Sequence, residues 1–210
     1  MVFNMISAEP NIQMNTKDRS NQDPINVDRE LNRLLIKVEA CKKCELFKQR
    51  QNVVFGEGSI QAKILFVGEA PGSNEDAQKR PFVGRSGKLL DRLINESLNI
   101  TRDSVYIANV IKCRPPENRT PQRLEINSCI DYLNRQIELI SPSVIVALGN
   151  TAFKALTNTK EGVTQARTKL YSYRNIDLIP TFHPSAALRN GQRVVEMMKE
   201  DFLKAANLVR

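Results

Sequence analysis

A few residues in this chain carry chemistry that packing alone does not call for: one histidine, four cysteines, an asparagine inside an apolar run and a phenylalanine in a polar loop. Cys41-Lys42-Lys43-Cys44 is a C-x₂-C pair, which places two thiolates on one ion or cluster. Cys113 and Cys129 are the other two cysteines. Each alone reads as a core cysteine, but all four stand at strand or helix ends, which favours joint ligation. Spacing does not separate zinc from iron–sulfur. His183 follows a buried run and precedes Pro184-Ser185. Its imidazole can donate to an oxygen that gains charge in a transition state. Asn109 carries a donor and an acceptor, so it can read the edge of a base. Phe82 can stack on a flat ligand. Arg85, Lys88, Arg114, Arg119, Lys169 and Arg189 are spread along loops around these positions.

The elements that must position them are legible as alternating patterns. Ile64 to Val67 has no polar alternation and reads as a strand covered on both faces. It empties into Gly68-Glu69-Ala70-Pro71-Gly72-Ser73-Asn74-Glu75-Asp76, where glycine permits close backbone approach and Pro71 stiffens the turn. Open α/β sheets place ligands at such carboxyl-end loops. Val105–Ile111, Val144–Leu148 and Asp177–Phe182 read as three more buried strands. Between them lie helical periods: Leu89, Leu90, Leu93, Ile94 and Leu98 behind a Ser86 cap; Ile126, Ile130, Leu133, Ile137 and Ile140 behind Thr120-Pro121; a short helix capped by Asn150; and a last helix on Val194, Met198, Phe202, Ala205 and Val209. Residues 161–175 are basic and polar, with a hairpin through Tyr171 and Tyr173. Strands alternating with helices mean a parallel sheet covered on both sides.

The chain of 210 residues is long enough for one buried domain plus a tail. Residues 1–27 are polar and read as a flexible tail. A helix with Leu31, Leu34, Leu35 and Val38 on one face opens the single domain, 28–210. The net charge of +8 and pI near 9.5 suit a polyanionic partner. No run is apolar enough to span a membrane and no secretion signal is read, so a cytoplasmic location with reduced or metal-bound cysteines is expected.

Together these segments resemble the family 4 uracil-DNA glycosylases. The resemblance rests on residues 68–76, on Pro81-Phe82-Val83-Gly84-Arg85-Ser86-Gly87-Lys88-Leu89-Leu90-Asp91, on Tyr106 to Pro116 with Asn109 inside it, and on His183-Pro184-Ser185-Ala186-Ala187-Leu188-Arg189-Asn190. It implies a three-layer α/β/α fold around a four-stranded parallel sheet. It also implies a structural [4Fe–4S] cluster on Cys41, Cys44, Cys113 and Cys129. The partner it implies is uracil-containing DNA, bound by a monomer. Gly68, Glu69 and Ala70 then line the uracil pocket, Phe82 stacks on the flipped base, Asn109 pairs with its edge and Glu75 crowds C5 against thymine. His183 donates to uracil O2. The water-activating Asp of the related family 1 is replaced by Ala70, which leaves Glu69 as the substitute. Leu188 is the wedge, and Arg189, Arg85 and Ser86 touch DNA. The polar tail could hold a contact to a sliding clamp or another repair protein.

Two other functions compete for the same residues. A non-catalytic nucleic-acid module with a metal staple explains the charge and the cysteines, but gives Asn109, Phe82 and His183 no shared role. A hydrolase of free nucleotides lacks a Walker-type Gly-Lys-Ser/Thr loop.

Overall fold

The computed structural model describes residues 23–209. Helix α1 (Pro24–Glu39) starts earlier than the periodicity at Asp28 implies. Asp23 caps it by accepting from Ile25 N, and Pro24 fills the first turn, where its missing N–H costs nothing. The part of the expected tail before Asp23 lies outside the described residues. A short 3₁₀ turn over Glu45–Lys48 then leads to β1 (Glu57–Gly58) and β2 (Ile64–Gly68).

The chain continues through α2 (Ser73–Gln78), α3 (Arg85–Leu98), β3 (Tyr106–Asn109), α4 (Arg123–Ile140), β4 (Val144–Leu148) and α5 (Asn150–Thr157). It ends with α6 (Val163–Ala166), β5 (Tyr171–Tyr173), β6 (Ile176–Thr181), α7 (Pro184–Asn190) and α8 (Gln192–Asn207). The sheet order is β1-β3-β2-β4-β6-β5. Its four central strands are parallel, as expected. β1 and β5 add antiparallel edges; the hairpin expected within residues 161–175 instead pairs Tyr171–Tyr173 with β6, and Val163–Ala166 is helical.

Two hydrophobic layers explain the unbroken apolar strands. Leu65 and Val67 face α1, α4 and α5 through Leu31, Leu133, Ile137 and Phe153. Ile64 and Phe66 face α3 and α8 through Leu90, Leu93, Met198 and Phe202. Both sides of β2 are therefore inside the protein, and a polar residue has no exposed face to occupy.

Three further helix starts differ from the sequence pattern. Gly84, not Ser86, is the N-cap of α3, which puts Ser86 inside the first turn. α4 begins at Arg123 rather than at Thr120-Pro121, because Glu125 folds back to accept Gln122 N at 2.7 Å. Gly149 precedes α5, and Asn150 instead turns its Oδ1 outward to accept Val163 N. The last helix buries Val195 ahead of Val194, with Val209 half-buried against the same layer.

A buried ion pair fixes the exit of β6. Asp201 of α8 accepts Thr181 Oγ1 at 2.8 Å and Arg167 Nε at 3.0 Å, and Arg167 also donates to Met197 O. Asp201 is fully buried, so removing it leaves the Thr181 hydroxyl without its acceptor and Arg167 with only Glu200 and Met197 O. Asp201→Ala is expected to lower unfolding free energy by about 3–5 kcal/mol, read from urea denaturation; a change within the scatter of the wild type would mean that the pair carries no weight.

Candidate active site

The carboxyl ends of the parallel strands open on a cleft of about 660 Å³. Strand order reverses between β2 and β4, the position at which open α/β sheets leave a crevice. Gly68 and Asn109 stand in register at the ends of β2 and β3. A Cβ on Gly68 would lie 2.4 Å from Asn109 Oδ1 and 2.5 Å from Phe82 Cζ. Glycine is what lets the amide and the ring meet at this point. Gly68 itself is buried and does not form the cleft wall; it acts as a spacer, where the resemblance implied a lining residue.

Asn109 is 1 % exposed, and its Oδ1 is buried with no hydrogen-bond partner among the described residues. Buried amides are almost always satisfied, so an unpartnered acceptor on a residue that lines the cleft is an unmet demand for a donor. Phe82 lies beside it, its ring centroid 5.6 Å from that of His183. Glu69, Ala70 and Glu75 complete the inner wall. Glu75 is already committed to the backbone: its carboxylate accepts from Gly72 N at 3.2 Å, Val83 N at 2.9 Å and Gly84 N at 3.0 Å. It joins the loop after β2 to the turn that carries Phe82. Glu69 is half-buried in the wall, and among the described residues its carboxylate has no hydrogen-bond partner.

His183 precedes α7 and caps it. Its Nδ1 accepts from Ser185 N at 3.1 Å and lies 2.8 Å from Ser185 Oγ. A backbone N–H can only donate, so Nδ1 is an acceptor and the neutral ring carries its proton on Nε2. Burial pushes its pKa down to about 4, and the Arg189 charge adds to this against the pull of Glu75. Gly149, at φ +91°, leaves room for the ring, since a Cβ there would sit 3.0 Å from His183 Cβ.

Ser86 and Arg189, expected at the DNA, line the cleft, and Ser185 lines it with them. Arg85 is exposed outside the lining, and Leu188 stands 52 % exposed on α7. Sequence reasoning missed a wall of hydroxyl and amide groups at Asn118, Thr120, Thr151 and Thr164. Thr151 was within reach, because Gly149-Asn150-Thr151 leaves a buried strand just as Gly68-Glu69-Ala70 does. Thr164 carries no such signal.

A second, smaller cavity is lined by Cys41, Cys44, Cys113 and Cys129, together with Arg50, Lys112 and Tyr132. The cysteines are unpaired; two are half-buried and two buried. Burial pushes the Cys44 and Cys113 thiols up and Cys129 to about 12, while Arg50 Nη1, 3.1 Å from Cys113 Sγ, works the other way on Cys113. Among the described residues, no three His, Cys, Asp or Glu side chains are grouped to close on a single ion. The four thiols ring a shared space instead. Also among the described residues, no helix is long and apolar enough to cross a membrane.

A parallel sheet covered on both faces thus brings an aromatic ring, an open amide and a neutral histidine to one slot at its carboxyl edge. Residues 55–209 match the family model of the Uracil DNA glycosylase superfamily. The chain is 47% identical over 175 residues to a type-4 uracil-DNA glycosylase of Saccharolobus solfataricus, covering 80% of this chain and 81% of that one. It is 45% identical over 186 residues to one of Sulfurisphaera tokodaii, covering 85% and 84%. With one of Thermotoga maritima it shares 46% over 177 residues, covering 83% and 92%. The chain belongs to the type-4 uracil-DNA glycosylases.

The Ser185 contacts make a direct expectation for the lone imidazole. A folded pKa below the ordinary 6.5 means that the unfolded chain binds the proton more readily. The stability contributed by the neutral ring is therefore present above 6.5 and lost as pH falls toward 4. In ¹⁵N-histidine spectra, Nε2 is expected to stay protonated and Nδ1 bare from about pH 8 to about pH 5. A titration midpoint near 6.5 would contradict the burial, and a bare Nε2 above that pH would contradict the tautomer.

Proposed function

We propose that the chain removes uracil from DNA by hydrolysing its N-glycosyl bond, with the cleft at the carboxyl edge of the sheet as the catalytic site. The observation that carries this reading is the buried, unpartnered Asn109 acceptor pressed against the Phe82 ring over Gly68. Membership of the type-4 family supports the reaction class.

Uracil in a duplex is unreachable, so its nucleotide rotates out at a cost of a few kcal/mol. The base stacks on Phe82. Asn109 Oδ1 accepts from N3–H and its amide nitrogen donates to O4. Cytosine reverses both roles, and a buried mismatch of that kind costs on the order of 1–3 kcal/mol. As C1′–N1 breaks, negative charge gathers on the uracil oxygens. The Nε2–H of a neutral imidazole is aimed by Ser185 and needs no rearrangement to meet O2. Glu69, with its acceptors open, orients the water that attacks C1′ and faces the positive charge developing on the sugar. Glu75 supports the pocket by holding three backbone N–H groups, and its flank is the wall nearest C5. Leu188 fills the space left in the base stack, and Arg189, Arg85 and Ser86 take phosphate.

Cys41, Cys44, Cys113 and Cys129 hold a [4Fe–4S] cluster in this reading. The fit rests on four buried or half-buried thiols around one cavity, with the Arg50 and Lys112 cations beside them to offset thiolate charge. When bound, the cluster supplies a cross-link among α1, the segment after β3 and α4; no step at the glycosidic bond passes through it.

The function is tested with an oligonucleotide carrying one uracil, followed by alkaline cleavage. Strand scission at that position is expected, and His183→Ala is expected to slow it by about 100- to 1,000-fold. A loss of less than about tenfold would mean that His183 does not stabilise the leaving uracil. For the cysteines, iron and sulfide analysis is expected to find four of each per chain, about the content of one cubane. Cys44→Ala is expected to lose the brown colour and to melt lower. A colourless variant as stable as the wild type would refute the structural role.

A further inference from the structure

Phe82 adopts a backbone conformation that its residue type resists. Its φ is +51°, in the left-handed region where a Cβ crowds the following carbonyl. A bulky residue stays there only when its surroundings hold it, and at this turn they are specific. Arg102, in the turn before β3, donates Nη2 to Pro81 O at 2.5 Å and Nη1 to Phe82 O at 3.3 Å. The same guanidinium meets Asp91 of α3 at 2.6 Å and Glu57 of β1 at 2.7 Å. On the far side of the turn, Glu75 accepts from Val83 N and Gly84 N. A cation grips the carbonyls at Pro81 and Phe82, and an anion grips the N–H groups that follow.

The Arg102 side chain is 14 % exposed and lies outside the cleft lining, so it does not reach a bound base. We infer that Arg102 is a positioning residue for uracil excision, clamping the 81–82 carbonyls so that the Phe82 ring stays seated over Gly68 as the stacking surface. This rests on the proposal that Phe82 stacks on the base.

Several features of the fold take on a purpose under this assignment. Four acceptors on three separate segments are met at once, a demand suited to the five-donor planar fork of arginine and beyond the three donors of lysine. β1 is only two residues long, yet it delivers Glu57 to the guanidinium. Gly58, at φ +124°, lets it do so, since a Cβ there would come within 1.9 Å of Val105 O. Arg80 also bonds Glu57 and helps to hold its carboxylate in the charged form against partial burial. Gly87 admits the other end of the turn, because a Cβ there would lie 1.8 Å from Phe82 O. Without the clamp, Phe82 is free to relax to negative φ, and its ring leaves the slot.

The test compares Phe82→Ala, Arg102→Met, Arg102→Lys and the double variant Arg102→Met/Phe82→Ala. Readouts are inhibition by free uracil, kcat and KM on a uracil-containing single strand, and melting temperature. Phe82→Ala is expected to weaken uracil inhibition on the order of tenfold. Arg102→Met is expected to weaken it similarly, with kcat falling and KM moving less than about twofold, and the double variant adding less than about twofold to either single change. Arg102→Lys is expected to fall between. If Phe82→Ala leaves uracil inhibition intact, the stacking role itself fails. If Phe82→Ala weakens it but Arg102→Met does not, or if the two losses multiply in the double variant, the clamp is overturned and Arg102 is a structural ion pair only. Should Arg102→Met not fold, Arg102→Lys and Glu57→Gln, each combined with Phe82→Ala, make the same comparison.

Discussion

Space at the end of β2 is the scarce quantity in this molecule. The register of the sheet sets Gly68 against Asn109, and the missing side chain at Gly68 is filled from two directions, by an amide and by an aromatic ring. Atoms that close cannot be rearranged one at a time, because interiors pack to crystal-like density. The loop from Glu69 to Gly72 must leave the sheet without crossing this point, and Pro71 keeps it stiff. The Phe82 turn must reach back over it, which is why it takes a strained backbone and two charged side chains to hold it.

The polar groups inside the fold divide into two kinds. Asp76 accepts from Gln51 N and Asn52 N, Asp201 from Thr181 and Arg167, and Gln136 bridges Lys112, Phe55 O and Tyr106. Each is buried and each is satisfied, as stability requires. Asn109 is buried to the same degree and is left open on its acceptor side. His183 is similar in kind: Ser185 occupies one nitrogen and leaves the other for the cleft. Ser97 Oγ is the other buried side-chain atom without a partner among the described residues, so it is the meeting of two open groups, Asn109 and His183, in one cleft that marks the slot.

The central strands were legible because they are covered on both faces, so that apolar runs such as Ile64–Val67 and Val144–Leu148 show no alternation. β1 and β5 were harder to see, since two or three residues are too few for any period to show. Helix starts were misplaced where the cap is a distant carboxylate reaching back, as Glu125 does, rather than a local hydroxyl. At the site, Asn109 betrayed itself as an amide in an apolar strand, and Phe82 as an aromatic among glycines and arginines. The role of Gly68 as a spacer was not legible, because it depends on which side chains arrive from residues 82 and 109. Nor was the backbone duty of Glu75, whose partners lie up to nine residues along the chain.

The cysteine cavity and the base slot are set by one short stretch of backbone. Asn109 ends β3, Cys113 follows four residues later, and between them Lys112 is fully buried. Its ammonium donates to Asn109 O at 2.9 Å and to Gln136 Oε1 at 2.6 Å, and it lines the cavity of the four thiols. A buried cation needs acceptors and a counter-charge to stay ionised. The two oxygens supply the first, while burial lowers the ammonium's pKa to about 8. Lys112 therefore ties the wall of the cysteine cavity to the backbone at Asn109, so that neither can shift without the other.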